Sequence, residues 1–387
     1  MRIFDRLKEK LNPGAFKKLL APAVKRLAEV ELLLPRGNKP LQMTTEDLVT
    51  TLVYYHVGGC TSGRHLLQDL KENDFAKEYV APGQGIKKST FFETLNDRGE
   101  KQLSQLFSLL VADATEILPS EYAHLGNLTA IDGSHIDSVL SMEWADYRGG
   151  LKKAKAHIGF DINRGIPTKI FLTDGKEAER PFVEKIIEGG QTGVCDRGYQ
   201  CNNRFDQWQR DGKLFAVRIK KSAIKTPIRE NALIPGSMAF YDAVVLLGTK
   251  GVNQTEQEIR VVGYRVGSKK FWIATNRHDL SADDIAQVYK LRWAIESFFA
   301  WWKRHLKVYH LIARTKHGLM MQLLGGLITY LLLAIYCREK HGERVSLSRL
   351  RELRNLIANE ASRPLVIERH YSRKNRQLRR SKYKAKT

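Results

Sequence analysis

The segment from residue 289 to residue 303 (YKLRWAIESFFAWWK) predicts a helix that must bury one side and keep a polar stripe beside it. At 100° per residue, Tyr289, Arg292, Glu296 and Lys303 fall within about 60° of one another along about 21 Å of helix. The neighbouring apolar face consists of Val288, Leu291, Ile295, Phe298, Phe299, Trp302 and Leu306. The pattern therefore requires a core against one side of the helix and leaves a carboxylate among cations at its margin.

Two interpretations of this stripe are open. Arg292 and Glu296 are four residues apart, a spacing at which solvated ion pairs form on exposed helix faces. Alternatively, the stripe combines a metal-binding carboxylate with groups that hold phosphates. The rest of the sequence favours the second interpretation.

The charge balance restricts the class of partner. The chain has 387 residues, with 64 lysines and arginines against 42 aspartates and glutamates, and a formal net charge of +22. So large a positive charge indicates a polyanionic partner, and nucleic acid is the one we expect; the alternative is a basic protein without a specific partner. With 43% hydrophobic residues the chain can bury substantial cores, and its length favours two or three domains.

The cysteines bear on metal ligation and on the compartment. Cys195 and Cys201 lack a second nearby pair, so the spacing of a zinc site is not present. We therefore expect Cys60, Cys195, Cys201 and Cys337 to be reduced thiols in a cytosolic protein. Residues 1–6 (MRIFDR) begin a charged, amphipathic segment, which is not the pattern of a signal peptide.

One apolar stretch admits two interpretations. Residues 318–336 (GLMMQLLGGLITYLLLAIY) are uncharged and almost long enough to cross a bilayer. Gln322, Gly325 and Gly326 interrupt the stretch, and it stands alone in a basic chain. We expect a buried core helix rather than a membrane span, and therefore no membrane partner.

Residues 1 to about 120 carry helical patterns and form the first predicted domain. Thr44 is placed to begin a helix, because acidic residues and an apolar run follow it. A basic turn precedes Ser89 or Thr90, one of which we expect to be the N-cap of another helix. Two short helices about a glycine-containing turn are compatible with a helix-turn-helix, so we expect this domain to bind DNA.

A change to strand patterns follows at Asn127. The apolar run from Asn127 ends in Asp132 at an Asp-Gly-Ser turn, and a later short run ends in Asp196 before another glycine. Between them, two runs of strand character flank residues 163–165 (NRG), which predicts a hairpin. Residues 121–338 form the second predicted domain.

This second domain contains a β-rich segment at about residues 220–270. After it, Ser281 is placed to cap the helix that carries Glu296. Residues 339–387 form a third region, a basic tail that contains no acidic residue from Arg369 onward. We expect this tail to contact DNA; the alternative is a solvated tail.

Two aspartates at strand ends and one glutamate on a helix suit a metal-dependent reaction. Carboxylate oxygens are ligands that Mg²⁺ and Mn²⁺ prefer, and three carboxylates can hold two such ions about 4 Å apart. One ion activates a water or a 3′-hydroxyl and the other stabilises the leaving oxygen, which is phosphodiester chemistry. Asp137, Asp161 and Asp174 also lie near turns and compete for the ligand role, while His135 and His157 are either packed residues or groups behind the ligands.

Three sequence motifs resemble those of a known family. They are Ala130-Ile-Asp132-Gly-Ser134, Cys195-Asp196-Arg-Gly-Tyr199, and Tyr289-x2-Arg292-x3-Glu296-x6-Lys303. Together they resemble the DDE transposases of bacterial insertion sequences, and specifically the insertion-sequence-four family, whose signature is this tyrosine-arginine-glutamate-lysine spacing. The likeness covers about residues 125–305.

This resemblance implies an α/β fold in which a ribonuclease H-like catalytic core carries a β-rich insertion and follows a helical N-terminal DNA-binding region. The implied metal-binding triad, for two Mg²⁺ (or Mn²⁺) ions, is Asp132, Asp196 and Glu296. The residues implied to hold phosphates of the transposon end are Tyr289, Arg292 and Lys303. A guanidinium fork and a lysine point charge are suited to that task.

The resemblance also implies that an aromatic residue of the insertion stacks on a flipped base when the DNA end forms a hairpin. Phe271 and Trp272 are the candidates, and alternation along a strand allows only one of them to face DNA. The implied partners are the terminal inverted repeats and target DNA. They would be bound by a homodimer in the bacterial cytoplasm, at the nucleoid.

The implied activity is cut-and-paste transposition, in which DNA ends are cleaved and their 3′-hydroxyls are joined to target DNA. Two alternatives stay open. One is a metal-dependent nuclease of the same fold that does not join strands, and the other is a catalytically silent DNA-binding derivative. A strand-transfer assay separates a transposase from the first alternative, and metal-dependent cleavage excludes the second.

Overall fold

The computed structural model describes residues 14–36, 38, 40–81, 85–137, 146–148, 151–308, 310–313 and 315–360. The chain divides into two compact units, one formed by residues 1–110 with 317–387 and the other by residues 111–316. In its described parts the first unit is helical, and the second unit contains the sheet. The basic arm expected to contact DNA, from Arg369 to Thr387, lies outside the described residues.

The elements are numbered in chain order. The helices are α1 (Ala15–Arg26), α2 (Thr45–Gly58), α3 (Gly63–Glu72), α4 (Asp74–Tyr79), α5 (Lys88–Asp97), α6 (Glu100–Ile117), α7 (Arg180–Ile186), α8 (Asn202–Arg210), α9 (Ala282–Leu291), α10 (Trp293–His305) and α11 (Lys316–His341). The strands are β1 (Asn127–Asp137), β2 (Asp146–Arg148), β3 (Leu151–Asp161), β4 (Ile166–Asp174), β5 (Gln191–Cys195), β6 (Leu214–Arg218), β7 (Lys225–Glu230), β8 (Ala239–Leu247), β9 (Ile259–Val266) and β10 (Lys269–Thr275). Residues 347–360 are also helical.

Helix starts predicted from local sequence are confirmed at α2 and α9. At α2, the Asp47 amide donates to the Thr44 hydroxyl (3.1 Å) and the Thr44 amide donates to the Asp47 carboxylate (2.8 Å). Ser281 and Asp284 make the same reciprocal pair at α9, with both distances 3.1 Å. Such capping boxes bond amides that a helix leaves without partners, so a four-residue pattern is enough to locate them.

The predicted N-cap at Ser89 or Thr90 is wrong. Helix α5 begins before both residues, with Lys87 as an extended cap residue that makes no side-chain hydrogen bond. The Phe91 amide donates to the Lys87 carbonyl (3.0 Å), so both hydroxyl residues lie inside the first turn. The Thr90 hydroxyl instead donates to Gln42 Oε1 (2.8 Å), a contact that the local pattern does not contain.

Helix α11 contains the uncharged apolar stretch. It is long and apolar enough to cross a membrane, yet 94% of its most apolar window is buried inside the protein. Gly325 permits close packing on α2, because a Cβ added to Gly325 would lie 3.0 Å from Leu52 Cβ. The Gln322 carbonyl lies 3.2 Å from His56 Nε2 in the same unit. These contacts make α11 a core helix of the helical unit.

Within the described residues, ten strands form one mixed sheet in the order β2-β3-β1-β5-β6-β10-β9-β8-β7, with β4 paired to β3. Strand β1 runs antiparallel to β3 and parallel to β5, and β5 runs parallel to β6. The predicted hairpin is confirmed, since β3 and β4 pair antiparallel and Gly165 adopts φ 73° at the turn. Glycine suits this conformation because it has no Cβ to clash. The parallel strands place their carboxyl ends at one edge of the sheet.

The β-rich segment after β6 continues this sheet. Strand β10 pairs antiparallel with β6, and β9, β8 and β7 follow outward in that order. One buried apolar cluster runs through both parts and includes Ile131, Phe215, Val245 and Val261. Burial of this shared cluster holds the added strands in a fixed position relative to β1 and β5.

Candidate active site

Asp132 and Asp196 emerge side by side from two neighbouring strands. β1 and β5 are parallel, and the last positions paired between them are the residues immediately before the two aspartates. The amide of Gly133 donates to Asp132 Oδ1 (2.8 Å), and the amide of Gly198 donates to Asp196 Oδ1 (2.7 Å). The fold therefore brings the two aspartate motifs together, and the backbone amide of a nearby glycine orients each carboxylate. The predicted strand end and turn at Asp132 are wrong, because β1 continues to Asp137 through its pairing with β3, whereas Asp196 does directly follow the end of β5.

The helix predicted over residues 289–303 is interrupted at Arg292, and in that respect the prediction is wrong. Helices α9 and α10 meet there. The Arg292 amide donates to the Tyr289 carbonyl and the Ile295 amide donates to the Arg292 carbonyl, both at 3.2 Å. Hydrogen bonds over three residues wind the backbone more tightly than an α-helix. The apolar spacing continues through this junction, so the sequence pattern does not mark it.

The Arg292 guanidinium lies between two of the predicted carboxylates. Its Nη2 donates a hydrogen bond to Glu296 Oε1, and its Nη1 lies 3.6 Å from Asp132 Oδ2. The Arg292 side chain is only 12% exposed, so this pair differs from a solvated ion pair on a surface helix. The stripe therefore faces β1, and Arg292 links Glu296 to Asp132.

The environment of Asp132 favours a nearby cation. Burial raises the pKa of this carboxyl from 3.8 to about 6; Arg292 and the Gly133 amide oppose the shift, while the charges of Asp196 and Glu179 add to it. Burial therefore disfavours the ionised form of Asp132, and further positive charge nearby would stabilise it. A divalent ion at this edge of the sheet would provide that compensation.

The donor set fits a hard divalent ion. Asp132, Asp196 and Glu296 offer carboxylate oxygens, which suit Mg²⁺ or Mn²⁺ better than softer metals. Among the residues that the structure describes, no three acidic, histidine or cysteine side chains are already grouped closely enough to hold an ion. The Arg292 guanidinium lies between two of the three carboxylates.

Tyr289 and Lys303 flank this arrangement. Tyr289 is 6% exposed, and the Arg292 guanidinium lies 5.8 Å from the centre of its ring. Burial raises the pKa of the Tyr289 hydroxyl, against the opposing effects of Arg292 and Arg218, so the hydroxyl is a donor at neutral pH. Lys303 Nζ donates to the His135 carbonyl on β1 (3.0 Å). Both residues thus face the sheet edge that carries the aspartates.

Phe271 and Trp272 lie on opposite faces of β10, as alternation along a strand requires. Phe271 stacks on Tyr264 with 5.2 Å between ring centres, and its ring centre lies 6.3 Å from that of Tyr289. Trp272 packs edge-on against Phe240 at 5.2 Å on the other face. Of the two candidates, Phe271 is therefore the one on the side of Tyr289.

Two residues beside the site had no decisive signal in the sequence. Glu179, immediately before α7, pairs with Lys155 at 3.2 Å and adds negative charge near Asp132. Trp293 directly follows Arg292 and is 64% exposed. Glu179 stands in a charged stretch (KEAER) typical of solvated surface, and Trp293 stands in a helix rich in aromatic residues. Only tertiary contacts and exposure distinguish them.

Two of the competing acids, Asp161 and Asp174, accept hydrogen bonds from residues of their own turns. Asp161 accepts hydrogen bonds from the Arg164 amide and guanidinium (3.0 and 3.1 Å). Asp174 Oδ1 accepts two amides of the turn that follows it (2.8 and 3.1 Å). His157 is fully buried, and the Asp137 side chain lies outside the described residues.

Comparison with known proteins identifies transposases as relatives. A probable transposase for insertion sequence element IS5377 of Geobacillus stearothermophilus is 29% identical over 222 residues, which are 57% of this chain and 59% of that protein. A putative transposase for insertion sequence element IS4SA of Synechocystis sp. is 25% identical over 226 residues, which are 55% of this chain and 62% of that protein. The chain thus spans about three fifths of the length of these curated relatives.

This chain is also similar to a solved structure and matches a family model. The cryo-EM structure of a piggyBac transposase synaptic complex with hairpin DNA is similar at a TM-score of 0.43 and 11% identity, over 90% of this chain and 77% of that chain. Residues 123–332 match the family described as the transposase DDE domain, a match that covers more than half of the chain and includes Asp132, Asp196 and Glu296. This protein therefore belongs to the transposase DDE domain family.

Proposed function

We propose that this protein is a transposase that binds transposon-end DNA, cleaves it with two divalent metal ions and joins the 3′-hydroxyl ends to target DNA. One observation carries the proposal. Asp132 and Asp196 each follow the last position paired between the parallel strands β1 and β5, and Arg292 links Glu296 to Asp132. Three carboxylates that converge from distant parts of a chain are suited to holding two ions.

The proposed chemistry assigns a task to each group. The three carboxylates hold two divalent ions, which when bound supply a nucleophilic oxygen and stabilise the leaving oxygen. Arg292 moves from the carboxylates to a DNA phosphate, where its planar fork makes two parallel hydrogen bonds. Lys303 and Tyr289 donate to neighbouring phosphates. Together these contacts would hold the scissile phosphate in place beside Asp132, Asp196 and Glu296, which lowers the entropic part of the barrier.

The strand order supports the ribonuclease H-like core that the motif resemblance implies. Three antiparallel strands (β1, β3, β4) are followed along the chain by two parallel ones (β5, β6), with an aspartate on β1 and another after β5. Strands β7 to β10 occupy the place of the expected insertion, between Asp196 and Glu296. The spacing from Tyr289 to Lys303 assigns the protein, in our proposal, to the insertion-sequence-four family.

The proposed partner is double-stranded DNA, as terminal inverted repeats and as target. A net charge of +22 supports a polyanionic partner. In our proposal the helical region up to about residue 120 recognises the ends, residues 121–338 carry the chemistry, and the basic tail of residues 339–387 contacts the backbone. Joining two ends requires two active sites, so a homodimer on DNA, in the bacterial cytoplasm at the nucleoid, completes the proposal.

For a hairpin intermediate, we assign the stacking role to Phe271. The Arg218 guanidinium lies 4.8 Å from the centre of the Phe271 ring, so a positive charge adjoins the ring on the side that would receive a flipped nucleotide. Trp272 faces away from Tyr289 and packs on Phe240 instead. Trp293, exposed beside Arg292, offers a second aromatic surface to an unstacked base.

Strand transfer is the experiment that tests this function. The protein is incubated with Mg²⁺, a target plasmid and a duplex carrying the terminal repeat that flanks its gene. We expect cleaved ends first and joined products afterwards. Cleavage without joined products would support the nuclease alternative, and end binding without cleavage in Mg²⁺ or Mn²⁺ would support the silent alternative.

Arg292→Ala and Lys303→Ala are each expected to weaken complexes with cleaved end DNA by about 1–3 kcal/mol, the range for hydrogen bonds to charged groups. Binding to random duplex should change less, because the lost contacts are made at the active site. Titration of both duplexes in gel-shift assays measures the difference. Arg304→Ala, which removes an exposed cation from the same helix, is the matched control. Normal end complexes from both test variants would refute the phosphate-holding role.

A further inference from the structure

Lys155 and Glu179 form an ion pair close to Gly133, the residue that follows Asp132 on β1. Lys155 is 3% exposed, and its Nζ lies 2.9 Å from the Glu177 carbonyl and 3.2 Å from Glu179 Oε1. A lysine buried to this extent requires such partners, so the pair determines where the Glu179 carboxylate lies. Lys155 stands on β3 directly opposite His135 of β1, three residues beyond Asp132.

The Glu179 carboxylate lies close to the glycine that follows each aspartate, Gly133 within β1 and Gly198 after β5. A Cβ added to Gly133 would lie 2.9 Å from Glu179 Oε1, and a Cβ added to Gly198 would lie 3.9 Å from Glu179 Oε2. These are the two glycines whose amides orient Asp132 and Asp196. Glu179 therefore lies between the two glycines, with one carboxylate oxygen toward each.

We propose that Glu179 is a fourth carboxylate ligand of the metal centre and that Lys155 is the residue that positions it. This inference rests on the proposed function, because it adds a ligand to the same site. Mg²⁺ and Mn²⁺ accept about six oxygen ligands, so a two-ion centre has room for a fourth carboxylate. In this proposal Glu179 Oε1 keeps its contact with Lys155. Glu179 Oε2, which lies on the Asp196 side, binds an ion.

Mn²⁺ binding to the full-length protein, measured by calorimetry without DNA, tests this assignment. Glu179→Gln and Lys155→Met are each expected to weaken binding by about 10- to 100-fold, the range for removing a group that supports a metal site. Lys155→Arg keeps the cation and is expected to restore binding. Glu188→Gln is the matched control, because Glu188 also pairs with a lysine (Lys169, 2.7 Å) but precedes β5, at the opposite end from Asp196.

Glu179→Asp separates ligation from folding. It keeps a negative charge near Lys155, and Lys155 keeps its hydrogen bond to the Glu177 carbonyl (2.9 Å), so the protein should still fold, which a melting curve checks. The shorter side chain withdraws its oxygen from the ion. We expect weaker Mn²⁺ binding from a normally folded protein. If Glu179→Gln and Glu179→Asp both bind Mn²⁺ with wild-type affinity while Asp132→Asn binds it more weakly, the proposed role of Glu179 is overturned but the proposed function is not. Unchanged affinity in Asp132→Asn and Asp196→Asn would overturn the proposed function itself.

Discussion

Changing Asp132, Asp196 or Glu296 to its amide is expected to lower Mg²⁺-dependent cleavage of end DNA by at least about 10³-fold, since metal stabilisation worth several kcal/mol is lost. Each amide keeps the shape of the side chain but removes the charge that holds a divalent ion. Cleavage of end-labelled duplex, resolved on denaturing gels, measures the loss. End binding without metal should survive, because carboxylates do not attract phosphates.

Asp161→Asn is the matched control for this series. Asp161 ends β3 in the same sheet, but its carboxylate bonds to Arg164 within the hairpin turn. We expect this variant to cleave at close to the wild-type rate. If one of the three test variants cleaves as fast as Asp161→Asn, that residue is not a member of the triad, and Glu179 is the next candidate for its place.

Replacing Asp242 by alanine is expected to destabilise the protein by about 3–5 kcal/mol, the cost of leaving one charge of a buried pair alone. The side chains of Arg260 and Asp242 are 7% and 5% exposed and share two hydrogen bonds of 2.9 and 2.7 Å. Arg260 also donates to the carbonyls of Arg277 (2.9 Å) and Leu280 (2.6 Å). The pair joins β8 to β9, and the further hydrogen bonds of Arg260 connect both strands to the segment that leads into α9 and Arg292.

Urea unfolding at neutral pH measures this effect. Glu256→Ala is the control, because the Arg210–Glu256 pair is 48% and 78% exposed and such pairs contribute at most about 1 kcal/mol. The double variant Asp242→Leu with Arg260→Met should recover much of the stability, since it leaves no buried charge. Equal free energies of unfolding for Asp242→Ala and Glu256→Ala would contradict the structural role of the pair.

The Asp242 contribution should depend on pH in a defined direction. Burial acts to raise the pKa of this carboxyl, but its hydrogen bonds with Arg260 and Asn231 outweigh burial, and the pKa is lowered overall. The folded protein therefore binds fewer protons here than the unfolded chain, so the stabilisation is present at neutral pH. It is lost as the pH falls below about 4, the ordinary carboxyl pKa, toward the folded value. The stability difference between wild type and Asp242→Ala should shrink over that interval.

Patterns of a few residues were sufficient to locate many elements. The capping box at Thr44 and the short strand that ends just before Asp196 reflect interactions between near neighbours in the chain. The predicted strand end at Asp132 is wrong, because pairing with β3, a contact outside the local pattern, extends β1 to Asp137. The same reasoning failed for the N-cap at Thr90, whose hydroxyl bonds to Gln42, a residue far away in sequence. A hydroxyl near a helix start does not reveal which of two partners it will take.

The sequence predicted that Phe271 and Trp272 lie on opposite faces of their strand, but it did not predict which of them lies on the side of Tyr289. Alternation places Phe271 and Trp272 on opposite faces, but it does not say which face meets the helix that carries Tyr289. That outcome depends on the position of β10 beside β6 and against α9. It also depends on the buried apolar cluster against which Trp272 packs. These are long-range contacts, so no pattern within β10 specifies them.

Helical spacing alone puts Arg292 and Glu296 on one face, and strand patterns alone associate Asp132 and Asp196 with two short strands. Only the folded chain shows that Arg292 lies between Asp132 and Glu296, and that Glu179 lies between Gly133 and Gly198. The physical reason is a difference in range. Caps, periodicity and turns arise from contacts a few residues apart, whereas strand order and the approach of a helix to a strand end follow from burying a shared core assembled from the whole domain.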